Sequence, residues 1–102
     1  MDNLELQFQD DMLKTYRKAK KLGYKAGIFL DMIGTMGGVG TAKKLLSTED
    51  FIQDGVTRLW ELGRLDLSVE ALVLKMEYDV LFTFEEKETA KKRLTKLGYI
   101  IN

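Results

Sequence analysis

This sequence predicts an all-α fold: a single compact domain of five or six short helices, with Val69–Met76 at its centre. Three observations carry that prediction. Apolar residues recur at helical spacing along most of the chain. Helix-end signals punctuate it at regular intervals, with glycines after apolar-periodic runs and Ser or Thr before others. Proline is absent, which suits helices joined by glycine-made turns.

Residues 4–22 read as an amphipathic helix within an N-terminal segment, 1–23. Leu4, Phe8, Met12, Tyr16, Ala19 and Leu22 fall within an arc of about 120° at helical pitch. Lys14, Arg17, Lys18 and Lys21 lie on the far side. Gly23 with Tyr24 behind it reads as a Schellman-type ending. Ala26–Met36 forms the second helix, with Phe29, Leu30, Ile33 and Met36 apolar. The glycines at 37, 38 and 40 are expected to break it. Thr41–Leu46 is a short third helix, with Ala42, Leu45 and Leu46 inward, and Ser47–Asp50 is a loop or capping segment.

A fourth helix ends at Leu62. It begins at Phe51, or at Gly55 with Asp54 as N-cap. Its apolar half holds Phe51, Ile52, Val56, Leu59, Trp60 and Leu62, with Trp60 at the boundary. Gly63 terminates it. Ser68 caps a fifth helix, Val69–Glu77, with Glu70 as a first-turn acid. That helix has so little polar surface that it belongs in the middle of the fold. Thr83–Glu86 is a capping box opening a sixth helix to Leu97. Its apolar stripe, Ala90, Leu94 and Leu97, is narrow, so it lies outside. Lys-Leu-Gly-Tyr occurs twice, at 21–24 and 96–99, and both copies read as helix C-caps with glycine in the left-handed position. The expected core is Phe8, Met12, Tyr16, Phe29, Ile33, Leu45, Leu46, Val56, Leu59, Leu62, Leu72, Val73, Met76 and Leu94.

Composition bounds the chemistry. The 102 residues are 45% hydrophobic and 31% charged, the range of a folded domain. A domain this size buries roughly 60–65% of the surface its unfolded chain exposes. Cysteine and histidine are both absent. The absence removes thiol nucleophiles, the commonest general base and the commonest transition-metal ligand. No metal site, cofactor or catalytic residue is expected, and the chain reads as a non-enzyme. No apolar run approaches the ~18 residues of a membrane span. The start is acidic where a signal peptide is basic, so no membrane association and a cytoplasmic location are expected. Net charge is zero, but its blocks are not neutral: −4 over residues 1–11, +7 over 12–44, −7 over 45–86 and +4 over 87–102.

Three places carry candidate chemistry. The densest is the run from Arg58 to Asp66, where Arg58, Trp60 and Arg64 cluster beside a glycine turn. Trp and Arg are favoured at interaction hot spots, so these three are the candidate partner-binding residues. The competing reading is structural: Arg64 and Asp66 tie the turn while Trp60 fills core. The second is the Gly34–Lys44 stretch, where Gly37, Gly38 and Lys43 form a candidate anion site. It fails as a nucleotide loop, because the position that requires glycine is Val39 and neither Lys43 nor Lys44 precedes Ser or Thr. The competing reading there is a tight turn with glycine for positive φ and close packing. The third comprises two basic strips, the lysines and arginine of the first helix and Lys87, Lys91, Lys92, Arg93 and Lys96 in the last. These suit phosphate contact or a solvated helix face, and no aromatics are interleaved as single-strand binders require.

Gly37-Gly38 with Ala42-Lys43, then Asp54–Leu74, Leu81–Glu86 and Gly98-Tyr99, resemble an uncharacterised family of small all-helical bacterial domains, over about residues 24–99. The resemblance implies a domain that stands alone or is appended to others, including HNH-type nucleases. No catalytic residues come with it. The chain departs at Ala26, where the family has proline, and in its acidic N-terminal segment. The expected function is a non-catalytic protein-interaction or regulatory module, linked through the resemblance to bacterial or phage nuclease or defence systems. The alternative is a sequence-tolerant nucleic-acid-binding domain using the basic helix faces.

Overall fold

The computed structural model describes residues 3–24, 27–47 and 57–100. All regular structure among them is helical. We label α1 (Asn3–Lys21), α2 (Gly27–Ser47), α3 (helical residues 57–61), α4 (Val69–Val73) and α5 (Phe84–Lys96). Two short 3-10 helices, Leu65–Leu67 and Met76–Leu81, flank α4. α4 packs against α1, α2 and α5, as its apolar sequence predicts. Val56, the start of the fourth helix and the Thr48–Asp50 part of the expected loop lie outside the described residues.

α1 buries Phe8, Met12 and Ala19 and carries Lys18, Lys20 and Lys21 at its end, where cations offset the helix dipole. It lies against α2 at one very close contact. A Cβ built on Gly38 would stand 2.7 Å from Gln9 Cα and 3.1 Å from Met12 Sδ. The Gly38 N–H donates to Gln9 Oε1 at 3.0 Å. Only glycine lets the two backbones come this near.

The glycine segment breaks the helix, as the sequence leads one to expect, and the break is a tight turn confined to one residue. Gly37 alone leaves helical geometry, with φ 78° and ψ 170°, and the helix resumes at Gly38. The result is a kink, and Gly38 falls at the first turn after it, facing α1.

The main core gathers Phe8 and Met12 of α1, Ile33, Ala42 and Leu46 of α2, Leu72 and Val73 of α4, Tyr78, Phe82 and Ala90. Phe8 is its hub. Tyr78 meets it edge-on at 5.0 Å and Phe82 lies 5.1 Å away. Tyr78 is fully buried, and its hydroxyl donates to Asp11. Burial first, and the Asp11 carboxylate second, push the phenol well above its ordinary range.

The helix expected over Val69–Glu77 is shorter. α4 ends at Val73, the chain turns at Leu74 and Lys75, and a 3-10 segment follows. That turn aims Tyr78 inward at Phe8 and Asp11 and throws Met76 outward. Met76, expected in the core, is 92% exposed. Tyr16 and Phe29 stack on each other at 6.4 Å and are half-buried, and Leu62 is half-buried too. The other core expectations among the described residues are buried, with Leu65, Leu67, Tyr78 and Phe82 added.

The caps follow the sequence closely. Gly23, Gly63 and Gly98 all take positive φ. Each is followed by an N–H that bonds five residues back, Tyr24 to Ala19, Arg64 to Leu59 and Tyr99 to Leu94. These are three Schellman endings, each opening with Leu-Gly. Thr83 and Glu86 form the reciprocal capping box, and Glu86 Oε1 also accepts from Lys43 Nζ at 2.8 Å. Burial opposes charge on Glu86, but the bonds from Lys43 and the Thr83 N–H prevail and hold it below the usual carboxylate range.

Ser68 caps α4, accepting from the Ala71 N–H at 3.1 Å. Its hydroxyl also donates to Leu65 O at 2.7 Å and is buried. Ser68 therefore joins the 3-10 turn to the helix.

Arg93 requires a correction. The sequence placed Glu70 in the first turn of its helix, where it is found, and Arg93 in a basic strip. Both are buried. Arg93 Nη1 donates to Glu70 Oε2 at 3.2 Å and to Leu45 O at 3.2 Å, while Nη2 reaches Leu46 O at 3.4 Å. One guanidinium thus fastens the end of α2, the start of α4 and the last turn of α5. Desolvation dominates and raises the Glu70 pKa, with Arg93 and the Glu70 backbone N–H pulling it back down.

Three predictions follow from this packing. Gly38→Ala should cost ~1–3 kcal/mol, because the added methyl meets backbone. Gly34→Ala, also helical but with open space around it, should be neutral or stabilise by up to about 1 kcal/mol. Equal effects in chemical denaturation would remove the close crossing as a determinant.

Ser68→Ala should cost ~1 kcal/mol or more, from the lost cap. Ser68→Asp should lose at least as much, since aspartate caps the helix but cannot donate to Leu65 O. Full retention of stability by the aspartate variant would show that the second bond carries no weight.

Arg93→Met should cost ~3–5 kcal/mol at neutral pH, because it leaves the Glu70 carboxylate buried without its partner. The sign of the pH dependence follows from a carboxyl whose folded pKa is raised. Such a group binds more protons folded than unfolded, so it lowers stability as pH climbs through the window above 4.5. Without Arg93 the window widens, and the deficit of Arg93→Met should shrink toward pH 5. A deficit independent of pH between 5 and 8 would place the loss elsewhere.

Candidate interaction surface

The run from Arg58 to Asp66 forms a rigid corner. Leu59 is buried against Ala19 and Leu67, with Tyr24 packed beside them. This anchor fixes the end of α3 against the far end of α1. The Schellman turn at Gly63 then reverses the chain, and Leu65 and Leu67 dive inward. Helical spacing leaves Arg58 and Trp60, on either side of Leu59, pointing outward. Both are exposed, Trp60 at 49%.

Arg64 and Asp66 form a bidentate pair, Nε to Oδ1 at 3.0 Å and Nη2 to Oδ2 at 3.1 Å. The hydrogen bond from Arg64 holds the Asp66 carboxyl below its ordinary range, and the same bond raises the guanidinium. The pair is solvent-exposed, so it orders the turn more than it stabilises the fold. The structural reading of Arg64 and Asp66 is thus met. For Trp60 it is not, because half of the ring is open to solvent.

What lies opposite Trp60 was not visible in the sequence. An open groove of about 500 Å³ runs beside it, lined also by Leu97, Tyr99 and Ile100. The left-handed glycines Gly63 and Gly98 both line it. The second Lys-Leu-Gly-Tyr motif therefore does two things: it ends α5 and it builds one wall. Its tyrosine also packs with Leu65 and Leu94. The first copy takes no part, since Tyr24 backs Leu59. Ile100 is 81% exposed, so the groove has apolar groups open to solvent on both sides. In the sequence the repeat reads only as a pair of helix C-caps, so nothing local singled out this wall.

The other candidates are placed differently. At the kink in α2, the Gly38 N–H is taken by Gln9, Thr41 Oγ1 donates to Gly37 O, and Lys43 is engaged by Glu86 at 2.8 Å. Lys43 also sits 5.4 Å from the centre of the Phe82 ring. Gly37, Gly38 and Lys43 are thus bound up in holding α1, α2 and α5 together. The last-helix basic strip is similarly reduced. Arg93 is in the buried clamp and Lys87 pairs with Asp79, leaving Lys91, Lys92 and Lys96 exposed. On α1, Lys14, Arg17, Lys18 and Lys21 are all exposed. Among the described residues no cluster of acidic side chains is arranged to hold a metal ion, and no helix is long and apolar enough to cross a membrane. No family model, curated protein or solved structure matches this chain.

Proposed function

We propose that this chain is a non-catalytic protein-interaction module that takes its partner in the groove beside Trp60, with Arg58 and Arg64 next to it. The observation that carries the reading is the half-exposed Trp60, which lines an open groove together with Tyr99 and Ile100. Leaving a large aromatic in water forgoes stabilisation that burial supplies, at roughly 25 cal/mol per Å². Aromatic and Arg side chains on a rigid turn are the usual anchors of protein interfaces. The nucleic-acid alternative rests on the exposed α1 cations. It loses support in α5, where two of five basic side chains are committed to internal pairs.

Trp60 is the only tryptophan, so its emission reports on the groove directly. The test begins with proteins from the host that bind the wild-type chain but not Trp60→Ala. Titrated with a purified partner of this kind, Arg58→Ala should bind ~1–2 kcal/mol more weakly and keep its folding stability within about 0.5 kcal/mol. Partners that bind Trp60→Ala and Arg58→Ala as well as wild type would sink the proposal. Duplex or single-stranded nucleic acid whose affinity falls steeply with salt, and that ignores Trp60→Ala, would favour the alternative.

A further inference from the structure

A second surface lies at the other end of α1. Three large apolar side chains stand in solvent there: Met76 at 92%, Val80 at 82% and Phe84 at 69% exposure. Scattered exposed apolar residues are ordinary, but a contiguous group marks a contact surface. These three stand within nine residues of one another along the chain. The 3-10 helix repeats every three residues, so Tyr78 and Leu81 share its inner edge while Met76 and Asp79 share one outer edge and Glu77 and Val80 the other. Lys87, one turn after Phe84 on α5, donates to Asp79 Oδ1 at 2.5 Å. That bond brings the first turn of α5 alongside the outer edges. Met76, Val80 and Phe84 are therefore each close along their own helix to a member of the Asp79–Lys87 pair.

Among the described residues, none of the three belongs to a buried apolar cluster. The inward work of the segment is done by Tyr78, Leu81 and Phe82. The surrounding charge is acidic: residues 75–88 hold five acids and two bases. One of the bases, Lys87, is already paired. Glu77, Glu85 and Glu88 make no ion pair among the described residues.

We infer that Met76, Val80 and Phe84 form a docking surface for a cationic amphipathic helix of a partner protein, its apolar stripe covering the three side chains and its Lys or Arg residues meeting Glu77, Glu85 and Glu88. Charge complementarity selects this occupant. An apolar stripe with basic flanks is the counterpart of an apolar surface with an acidic rim. A second copy of this chain is the competing occupant, since its basic helix face, through Lys14, Arg17, Lys18 and Lys21, also has exposed apolar groups such as Leu22 beside it, and sedimentation separates the two. The surface is separate from the Trp60 groove. Gln7 of α1 hydrogen-bonds Glu77, whereas Ala19, which anchors the groove, lies about 18 Å further along the helix at 1.5 Å per residue.

The test is a displayed library of random peptides about four helical turns long, selected on the full chain. Counter-selection uses the Val80→Ser/Phe84→Ser variant. Both positions are exposed, so this variant should keep its helical circular dichroism and a thermal midpoint within about 4 °C of wild type. Patch-dependent peptides should carry net positive charge, place apolar residues at i, i+3 or i+4, and lose at least about tenfold in affinity on the variant. Their affinity should fall with salt and be unaffected by Trp60→Ala. Failure to recover patch-dependent peptides, or recovery of neutral or acidic ones, overturns the inference while leaving the Trp60 groove untouched. Concentration-dependent self-association of the wild type in sedimentation, abolished by Val80→Ser/Phe84→Ser, overturns it in favour of a second copy.

Discussion

The structure depends on one close approach, the contact of Gly38 with Gln9. Two helices usually pack with axes 8–10 Å apart, kept there by side chains. Here a glycine lets backbone meet backbone, and the Gln9 amide oxygen takes the N–H of the residue at the contact. The consequences run in both directions along α1. Toward its start, the contact sets Phe8 and Met12 into the centre of the main core, where Phe8 becomes the ring on which Tyr78 and Phe82 pack. Toward its end, it sets Ala19 where Leu59 and Leu67 can close over it. α1 is about 28 Å long at 1.5 Å per residue, in a domain whose longest extent is 36 Å. It acts as a shaft that positions both ends of the molecule.

A second constraint is the buried Glu70–Arg93 pair. Two desolvated charges are a poor source of stability, because the loss of hydration offsets most of their attraction. Their arrangement suits a different task. The guanidinium satisfies two carbonyls at the end of α2, Leu45 O and Leu46 O, as well as the carboxylate. Those carbonyls belong to the last turn of a helix, where four have no partner within it. Arg93 thus caps α2 from α5 while Glu70 neutralises it from α4. The pair sets the register of three helices in a domain too small to fix it by apolar packing alone. The exposed pairs act locally: Arg64 with Asp66 shapes one turn, and Lys43 with Glu86 ties α2 to the capping box of α5.

Features set by neighbouring residues were legible in the sequence. The three Leu-Gly endings, the Ser68 cap and the Thr83–Glu86 box all form, because each is a bond between groups within a turn of one another. The α1 face was legible because a long periodic stripe is unambiguous. Features set by tertiary partners were not. Met76 follows a run of apolar residues and reads as core, yet a turn at Leu74 and Lys75 is needed for Tyr78 to reach Phe8. Arg93 sits among lysines at helical spacing, and nothing local distinguishes it from them. Its planar fork reaches two carbonyls and a carboxylate together, which a lysine ammonium does not match. For the candidate groove, the sequence displayed Trp60, Arg58 and Arg64, which adjoin one another. The opposite wall comes from about 40 residues away, at Tyr99 and Ile100, and adjacency across that distance exists only once the chain is folded.

The distribution of exposed apolar surface gives the last step. A small domain has little apolar area to spare, so each large side chain left in water is stability forgone. Besides Ile28 and the less exposed Leu6, Leu22, Leu30 and Met36, this one leaves Trp60 and Ile100 at one end of α1 and Met76, Val80 and Phe84 at the other. The two ends differ in charge. Arginines stand beside the first, one of them held by Asp66, and uncompensated glutamates stand beside the second. A domain selected for stability alone would fill these positions with polar residues at no cost to its core, since the core is closed without them. Opposed ends of unlike chemistry, joined by a rigid shaft, suit contacts with two different surfaces rather than one extended one. On this reading the zero net charge conceals the relevant quantity, which is the separation of charge along the molecule.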